Sequence, residues 1–231
     1  NIKYAATTVN GCVSDSSFKV AVNIQPQLIY SALSNVCQSQ AGSVTVAKAT
    51  ITNEVSGTGI YRGPATDSAG NFNPAVAGPG THTITYTFTT ANGCVAYAQA
   101  DITVNPSPVI TQMISGTGCL PTDGLVQFNS TATNGDTYLW NFGDPASGAN
   151  NTSTLQNPTH NYAADGTYNV NLEVTSVNGC KRDSTRSIAF TLTPALDYPA
   201  LPAICEDATP ASVATATVTN GIAGTGVYSG A

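Results

Sequence analysis

Apolar and polar residues alternate along most of this chain, and the alternating runs come in pairs. Tyr138, Trp140 and Phe142 are separated by polar or small residues, the period of two expected of a half-buried strand. Beyond a polar loop, Tyr168, Val170, Leu172 and Val174 alternate with Asn169, Asn171 and Glu173, which predicts a second strand. Asn178-Gly179 follows it and predicts a tight type I′ hairpin turn, in which both central residues take positive φ. Residues 80–88 predict another strand, and Phe18, Val20, Val22 and Ile24 predict one more near the start. The pattern is all-β, with negligible helix.

The runs repeat. Asn-Gly-Cys occurs at 10–12, 92–94 and 178–180, so Cys180 follows Cys12 at an offset of 168. Residues 28–33 return as 196–201 at the same offset, and Cys37 returns as Cys205. Residues 50–61 return at 217–228, one residue out of step, and Gly80 matches Gly166 at an offset of 86. The step from Cys12 to Cys94 is 82 and that from Cys94 to Cys180 is 86, so each period of 168 holds two unlike modules. The expected division is 1–25, the last strands of one module; 26–105, a second; 106–193, a third; and 194–231, the front of a fourth. Pro26, Pro106, Pro108 and Pro194 mark short junctions, which proline makes stiff. The expected architecture is tandem sandwiches arranged end to end. Asn1 begins in mid-strand with no signal peptide before it, so the chain is expected to be a window on a longer one. Residues 1–24 and 194–231 are expected to be ordered only by pairing with something else.

Composition then narrows the chemistry. Charged residues are 9% of the chain and the formal net charge is −6, which argues against nucleic-acid or anionic-membrane partners. No apolar run approaches the ~20 residues that span a bilayer, so membrane insertion of this segment is not expected. Six cysteines in a strand-rich chain point to disulfides and an oxidising compartment. Zinc is disfavoured, because no two cysteines have finger-like spacing and His82 and His160 are far apart in sequence. Both histidines are expected in structural positions. Neither is near a nucleophile in sequence, so no catalytic residue and no enzyme activity are expected. Asp123, Asp136, Asp144 and Asp165 are scattered over predicted loops, whereas calcium wants its oxygens gathered. No cofactor is expected, Ca2+ being the sole candidate. Gly57-Thr58-Gly59, Gly116-Thr117-Gly118 and Gly224-Thr225-Gly226 lack the third glycine and the βαβ setting of a dinucleotide loop and are expected to be turns or bulges.

Trp140-Asn141-Phe142-Gly143-Asp144, Pro158-Thr159-His160 and Gly166-Thr167-Tyr168 resemble the signature of PKD domains, surface modules with an immunoglobulin-like β-sandwich. The resemblance spans most of 106–193 and implies that Trp140, Phe142, Gly143, Asp144, His160, Gly166 and Tyr168 are fold-signature residues. Tyr168, after Asp165-Gly166-Thr167, takes the place of a tyrosine corner, with His82 equivalent in the Ig-like module 26–105. Some PKD domains bind calcium, but here Pro145 follows Asp144 where the family usually has glycine. Alternating Ig-like and PKD modules resemble the arrays of Bacteroidota exported cell-surface proteins, including gliding-motility adhesins and type IX secretion cargo. That resemblance implies an extracellular, cell-surface filament or adhesin stalk without catalysis. Its partners would be adjacent modules of the same chain, neighbouring copies in a fibre, and surface polysaccharide. The alternative is a pair of carbohydrate-binding accessory modules beside a secreted polysaccharide-degrading enzyme. Asp67-Ser68-Ala69 and Asp183-Ser184-Thr185 resemble the O-glycosylation site of that phylum, at Ser68 and Ser184.

Three disulfide schemes fit the six cysteines. One is intramodule, Cys37 with Cys94 and Cys119 with Cys180. A second joins neighbours in sequence, Cys12–Cys37, Cys94–Cys119 and Cys180–Cys205. In an Ig-like sandwich, however, the last hairpin and the first strand-to-strand turn lie at opposite poles, about 30 Å apart, too far for a disulfide. The third scheme follows: Cys37 with Cys180 across a junction, and the other four cysteines with modules outside this chain. An irregular first strand would instead allow Cys37 to reach Cys94.

Overall fold

The computed structural model describes residues 1–113, 118–200, 203 and 216–229. Compactness divides the chain into two units, Asn1–Pro106 and Ser107–Ala231. Both are built from strands, and the chain is a tandem of all-β, immunoglobulin-like folds.

In the first unit the main sheet runs β4 (Val36–Cys37), β10 (Val95–Asn105), β9 (Gly80–Thr90), β7 (Gly57–Arg62). Facing strands are short pairs: β3 (Leu28–Tyr30) with β6 (Ala49–Ile51), and β5 (Val44–Thr45) with β8 (Asn71–Phe72). Along β9 the even positions Ile84 and Phe88 are buried while Thr81 and Thr83 face water, as a period of two requires. Val46, Phe72, Ile84, Ile102 and Val104 form the core. A single α-helical turn, α1 (Pro74–Ala77), is capped by the Asn73 side chain, which accepts from the Ala75 and Val76 N–H groups.

Gly57-Thr58-Gly59 is not a turn or a bulge. It opens β7, with both glycines on the core side of the sheet. A Cβ on Gly59 would lie 1.9 Å from Tyr86 Oη, and one on Gly57 would lie 2.7 Å from the Phe88 ring. The glycines are there because two aromatic rings of β9 lie across them.

Preceding this sheet, β1 (Ile2–Thr7) and β2 (Val13–Phe18) form a hairpin, every residue of which is exposed. The strand expected through Val20, Val22 and Ile24 does not form; β2 ends at Phe18. Among the described residues nothing pairs with 19–24, and an isolated strand has no ladder to hold it.

In the second unit the main sheet runs β12 (Gly118–Leu120), β19 (Lys181–Leu192), β18 (Gly166–Thr175), β15 (Thr137–Asn141), β16 (Thr152–Ser153). Two antiparallel pairs accompany it, β11 (Val109–Gln112) with β14 (Thr131–Thr133) and β13 (Leu125–Gln127) with β17 (Thr159–Asn161). Val170, Leu172 and Val174 on β18 are fully buried against Trp140, Phe128 and Phe142, giving a larger core than that of the first unit. A kinked 3-10 segment, Pro145–Asn151, begins with Pro145, which costs nothing at a helix start because that N–H has no helical partner. The strands β20 (Leu196–Asp197) and β21 (Thr217–Val218) make a small exposed pair.

The three Asn-Gly-Cys hairpins share one construction, and it is not the type I′ turn. Gly11, Gly93 and Gly179 have φ of 82°, 82° and 77°, whereas Asn10, Asn92 and Asn178 are not at positive φ. The Gly179 N–H donates to Ser176 O and the Ser176 N–H donates to Cys180 O, both at 2.8 Å; Thr8 and Thr90 close the other two hairpins in the same way. This is a turn ending in a left-handed glycine, the three-residue hairpin loop. The hydroxyl of the same residue then accepts the cysteine N–H: Thr8 from Cys12 at 3.1 Å, Thr90 from Cys94 at 3.0 Å, Ser176 from Cys180 at 3.1 Å.

Candidate functional site

The densest side-chain constellation lies in the second unit, where the end of β15 meets β17. Phe142 leaves β15 buried, and Gly143 turns the chain at φ 70°, where a Cβ would meet Asn169 O at 2.5 Å. Only glycine fits there. Asp144 follows, its N–H held by Asn151 Oδ1 at 2.7 Å. His160, on β17, stacks on Phe142 with ring centroids 4.3 Å apart and points Nε2 at Asp144 Oδ2, 3.1 Å away. Tyr162 lies edge-on to His160 and donates its hydroxyl to Phe142 O at 2.9 Å. Burial, reinforced by the nearby Asp144 carboxylate and Tyr168, pushes the Tyr162 phenol well above its ordinary pKa. Trp140 is fully buried and donates Nε1–H to Leu155 O at 3.0 Å.

A cleft of about 620 Å³ opens over this corner, lined by Asp144, Ser147, Asn150, His160, Asn161 and Tyr168 among others. It brings a serine, a histidine and an aspartate together, which the sequence spacing did not suggest. The order of contacts is wrong for nucleophilic catalysis. Ser147 donates its hydroxyl to Asp144 O at 2.7 Å, not to the imidazole, and His160 is 4% exposed. The corner works as a clamp between β15, β17 and β18.

Tyr168 donates to Ala164 O at 2.9 Å, four residues back. His82 makes the matching contact in the first unit, Nε2 to Gly78 O at 2.9 Å. The four aspartates are used separately: Asp123 accepts from the Leu125 N–H at 3.2 Å, Asp165 accepts from the Leu192 N–H at 2.7 Å, Asp144 faces His160, and the Asp136 N–H donates to Thr175 O at 2.9 Å. Among the described residues no three His, Cys, Asp or Glu side chains gather as a metal would require.

Cys37 and Cys180 are disulfide-bonded, whereas Cys12, Cys94 and Cys119 carry free thiols. The pairs Cys37–Cys94 and Cys119–Cys180 are therefore not formed, and neither are Cys12–Cys37 and Cys94–Cys119. Cys94 closes the β9–β10 hairpin, its N–H held by the Thr90 hydroxyl, and Cys119 lies in β12. Cys205, Gly116 and Thr117 lie outside the described residues. Ser68 is exposed in the loop between β7 and β8, and its carbonyl accepts the Tyr61 N–H at 3.1 Å. Ser184 is half-buried within β19, on the same side of the sheet as Leu172. The upstream hydroxyls Thr8, Thr90 and Ser176 escaped the sequence reading. The signal was there, a Thr or Ser four residues before each repeated cysteine.

Residues 105–192 match the PKD domain family. No curated protein matches the chain. Among solved structures, the PKD1 domain of the Vibrio cholerae metalloprotease PrtV is 27% identical, with 36% of this chain and 96% of that one covered and a TM-score of 0.28. The PKD1 domain of Vibrio anguillarum Epp is 22% identical, covering 38% and 96%, with a TM-score of 0.29. A Ca2+-stabilised adhesin with which an Antarctic bacterium binds ice is 14% identical, covering 84% and 58%, with a TM-score of 0.33. The stretch from 105 to 192 is thus similar to PKD domains in sequence, and its Trp140–Asp144 and His160 corner lies inside that match.

Proposed function

We propose that the chain is a non-catalytic structural segment of a long extracellular surface filament or adhesin stalk, of the kind that gliding bacteria of the Bacteroidota export through type IX secretion. One observation carries the reading. Three hairpins at 8–12, 90–94 and 176–180 are built from the same five positions with the same hydrogen bonds, so the repeat is structural as well as textual. Repetition of one unit suits a part whose work is length and stiffness. The module limits 1–25, 26–105, 106–193 and 194–231 belong to this proposal, as do O-glycans at Ser68 and Ser184.

Cys37–Cys180 is the proposed cross-brace. It is supported by disulfide bonding at those two positions and free thiols at Cys12, Cys94 and Cys119. The repeat extends the rule: the step from Cys37 to Cys180 is 143, and the step from Cys119 to the next copy of Cys94, at 94 + 168, is 143 as well. Non-reducing peptide mapping of the native protein tests this. A Cys37–Cys180 peptide is expected, and a Cys37–Cys94 peptide would end it. The filament reading is tested separately, by electron microscopy of native cells labelled with antibody to residues 26–193. Label along a surface fibre is expected, and label confined to a secreted hydrolase would overturn the reading in favour of the accessory-module alternative.

A further inference from the structure

From the strand edges of the first unit we infer an interaction surface for a second copy of this chain: the free edge of β10 at Tyr97–Gln99–Asp101, pairing antiparallel with itself. Asn105 turns its carbonyl toward β4, where it accepts the Gln38 N–H at 2.9 Å, while Cys94 O accepts from Thr90 on the β9 side. Alternate residues of a strand aim their backbone groups the same way, so Tyr97, Gln99 and Asp101 aim N–H and C=O away from β9. The short strand β4 covers only Val104 and Asn105 of that edge, and the Gln25 side chain takes Val95 O. Among the described residues no strand pairs with the stretch between; β3 runs beside β10 but makes its ladder with β6.

The equivalent strand of the other unit shows what protection looks like. At the offset of 86, Ala96, Ala98 and Ala100 of β10 correspond to Arg182, Ser184 and Arg186 of β19. The two arginines sit opposite Val174 and Val170, on the core side of their sheet. Charges pointing inward on an edge strand block a further strand from adding. In β10 the same side carries only methyl groups, and the open stretch holds a single charge, Asp101. Proline, bulge and lysine are all missing from it.

Its sequence also fits itself. An antiparallel pair centred on Gln99 sets Gln99 opposite its own copy and Tyr97 opposite Asp101 of the second chain. The outward groups of all three residues then meet as hydrogen-bonded pairs. No like charges face each other, and the Tyr97 side chain, 72% exposed, is brought beside the only carboxylate. The surface is independent of the filament reading: one isolated chain carries it, and a repeating chain would multiply it.

Sedimentation of the whole chain with its free thiols alkylated, from about 10 µM to about 1 mM, tests the edge; weak single contacts fall in this range. The mass is expected to rise toward that of a dimer, with slowed amide exchange at Tyr97, Gln99 and Asp101. Gln99→Pro removes a donor that faces outward and spares the β9 ladder, and Ala96→Arg copies the guard of β19. Each should weaken the dimer at least tenfold, and Thr185→Pro in β19 should not. A chain that stays monomeric throughout, or a dimer indifferent to both β10 substitutions, overturns the inference. Neither result touches the surface-fibre test.

Discussion

At the scale of single residues, the second unit is fastened by polar groups that its core has swallowed. His160 and Asp144 are 4% and 8% exposed, and each is placed by the other. His160→Ala would remove a ring stacked on Phe142 and leave a carboxylate without its partner in a closed corner. We expect a loss of about 2–4 kcal/mol, read by urea unfolding. A loss below about 0.5 kcal/mol would mean water replaces the imidazole without cost. Tyrosines set the alkaline limit. Tyr30, whose hydroxyl donates to Val46 O at 2.7 Å, has its pKa pushed up to about 12 by burial and, secondarily, by Tyr61. A pKa higher in the folded chain than its ordinary value of 10.0 means that the stabilisation is complete below pH 10 and is lost as pH rises through about 12. Tyr162, raised chiefly by burial, adds loss in the same direction. Stability should therefore fall steeply above pH 10, and Tyr30→Phe should flatten that limb in a pH series of thermal melts.

At the scale of elements, period-two alternation located the long strands because one face of each is buried. Strands β9, β15 and β18 lie where the pattern puts them. Two things were not legible. The turn type was missed because Asn-Gly serves both a type I′ turn and a left-handed glycine closure, and the choice lies in the Thr or Ser at its start. The strand role of Gly57 and Gly59 was missed because it depends on Tyr86 and Phe88, which belong to a different strand, β9. The clamp itself was half legible: the resemblance marked Asp144 and His160, but spacing alone gave no hint that Ser147 would share their cleft. The hairpins supply a test. Gly179→Ala forces a side chain into φ near 77° and should cost about 1–2 kcal/mol. Ser176→Ala, which removes only the hydroxyl that holds the Cys180 N–H, should cost about 0.5–1.5 kcal/mol. If the two costs are reversed in denaturant titrations, the glycine is not what closes the turn.

At the scale of the whole chain, the two units are unequal. The buried cluster of the first is Val46, Phe72, Ile84, Ile102 and Val104, whereas that of the second holds thirteen of the described residues, among them Trp140, Tyr162, Phe128 and Phe190. Each fully buried large apolar side chain contributes about 1.5–3 kcal/mol of transfer free energy, so the difference outweighs anything surface pairs can restore. The first unit should unfold first. The chain carries its own reporter, since its single tryptophan is Trp140, fully buried in the second core. Under reducing conditions, which remove disulfide cross-links, circular dichroism should show two unfolding phases in guanidinium. Tryptophan fluorescence should follow only the later one. Coincident transitions by the two probes would show the units unfolding as one, and a fluorescence change in the earlier phase would show that core size does not set the order.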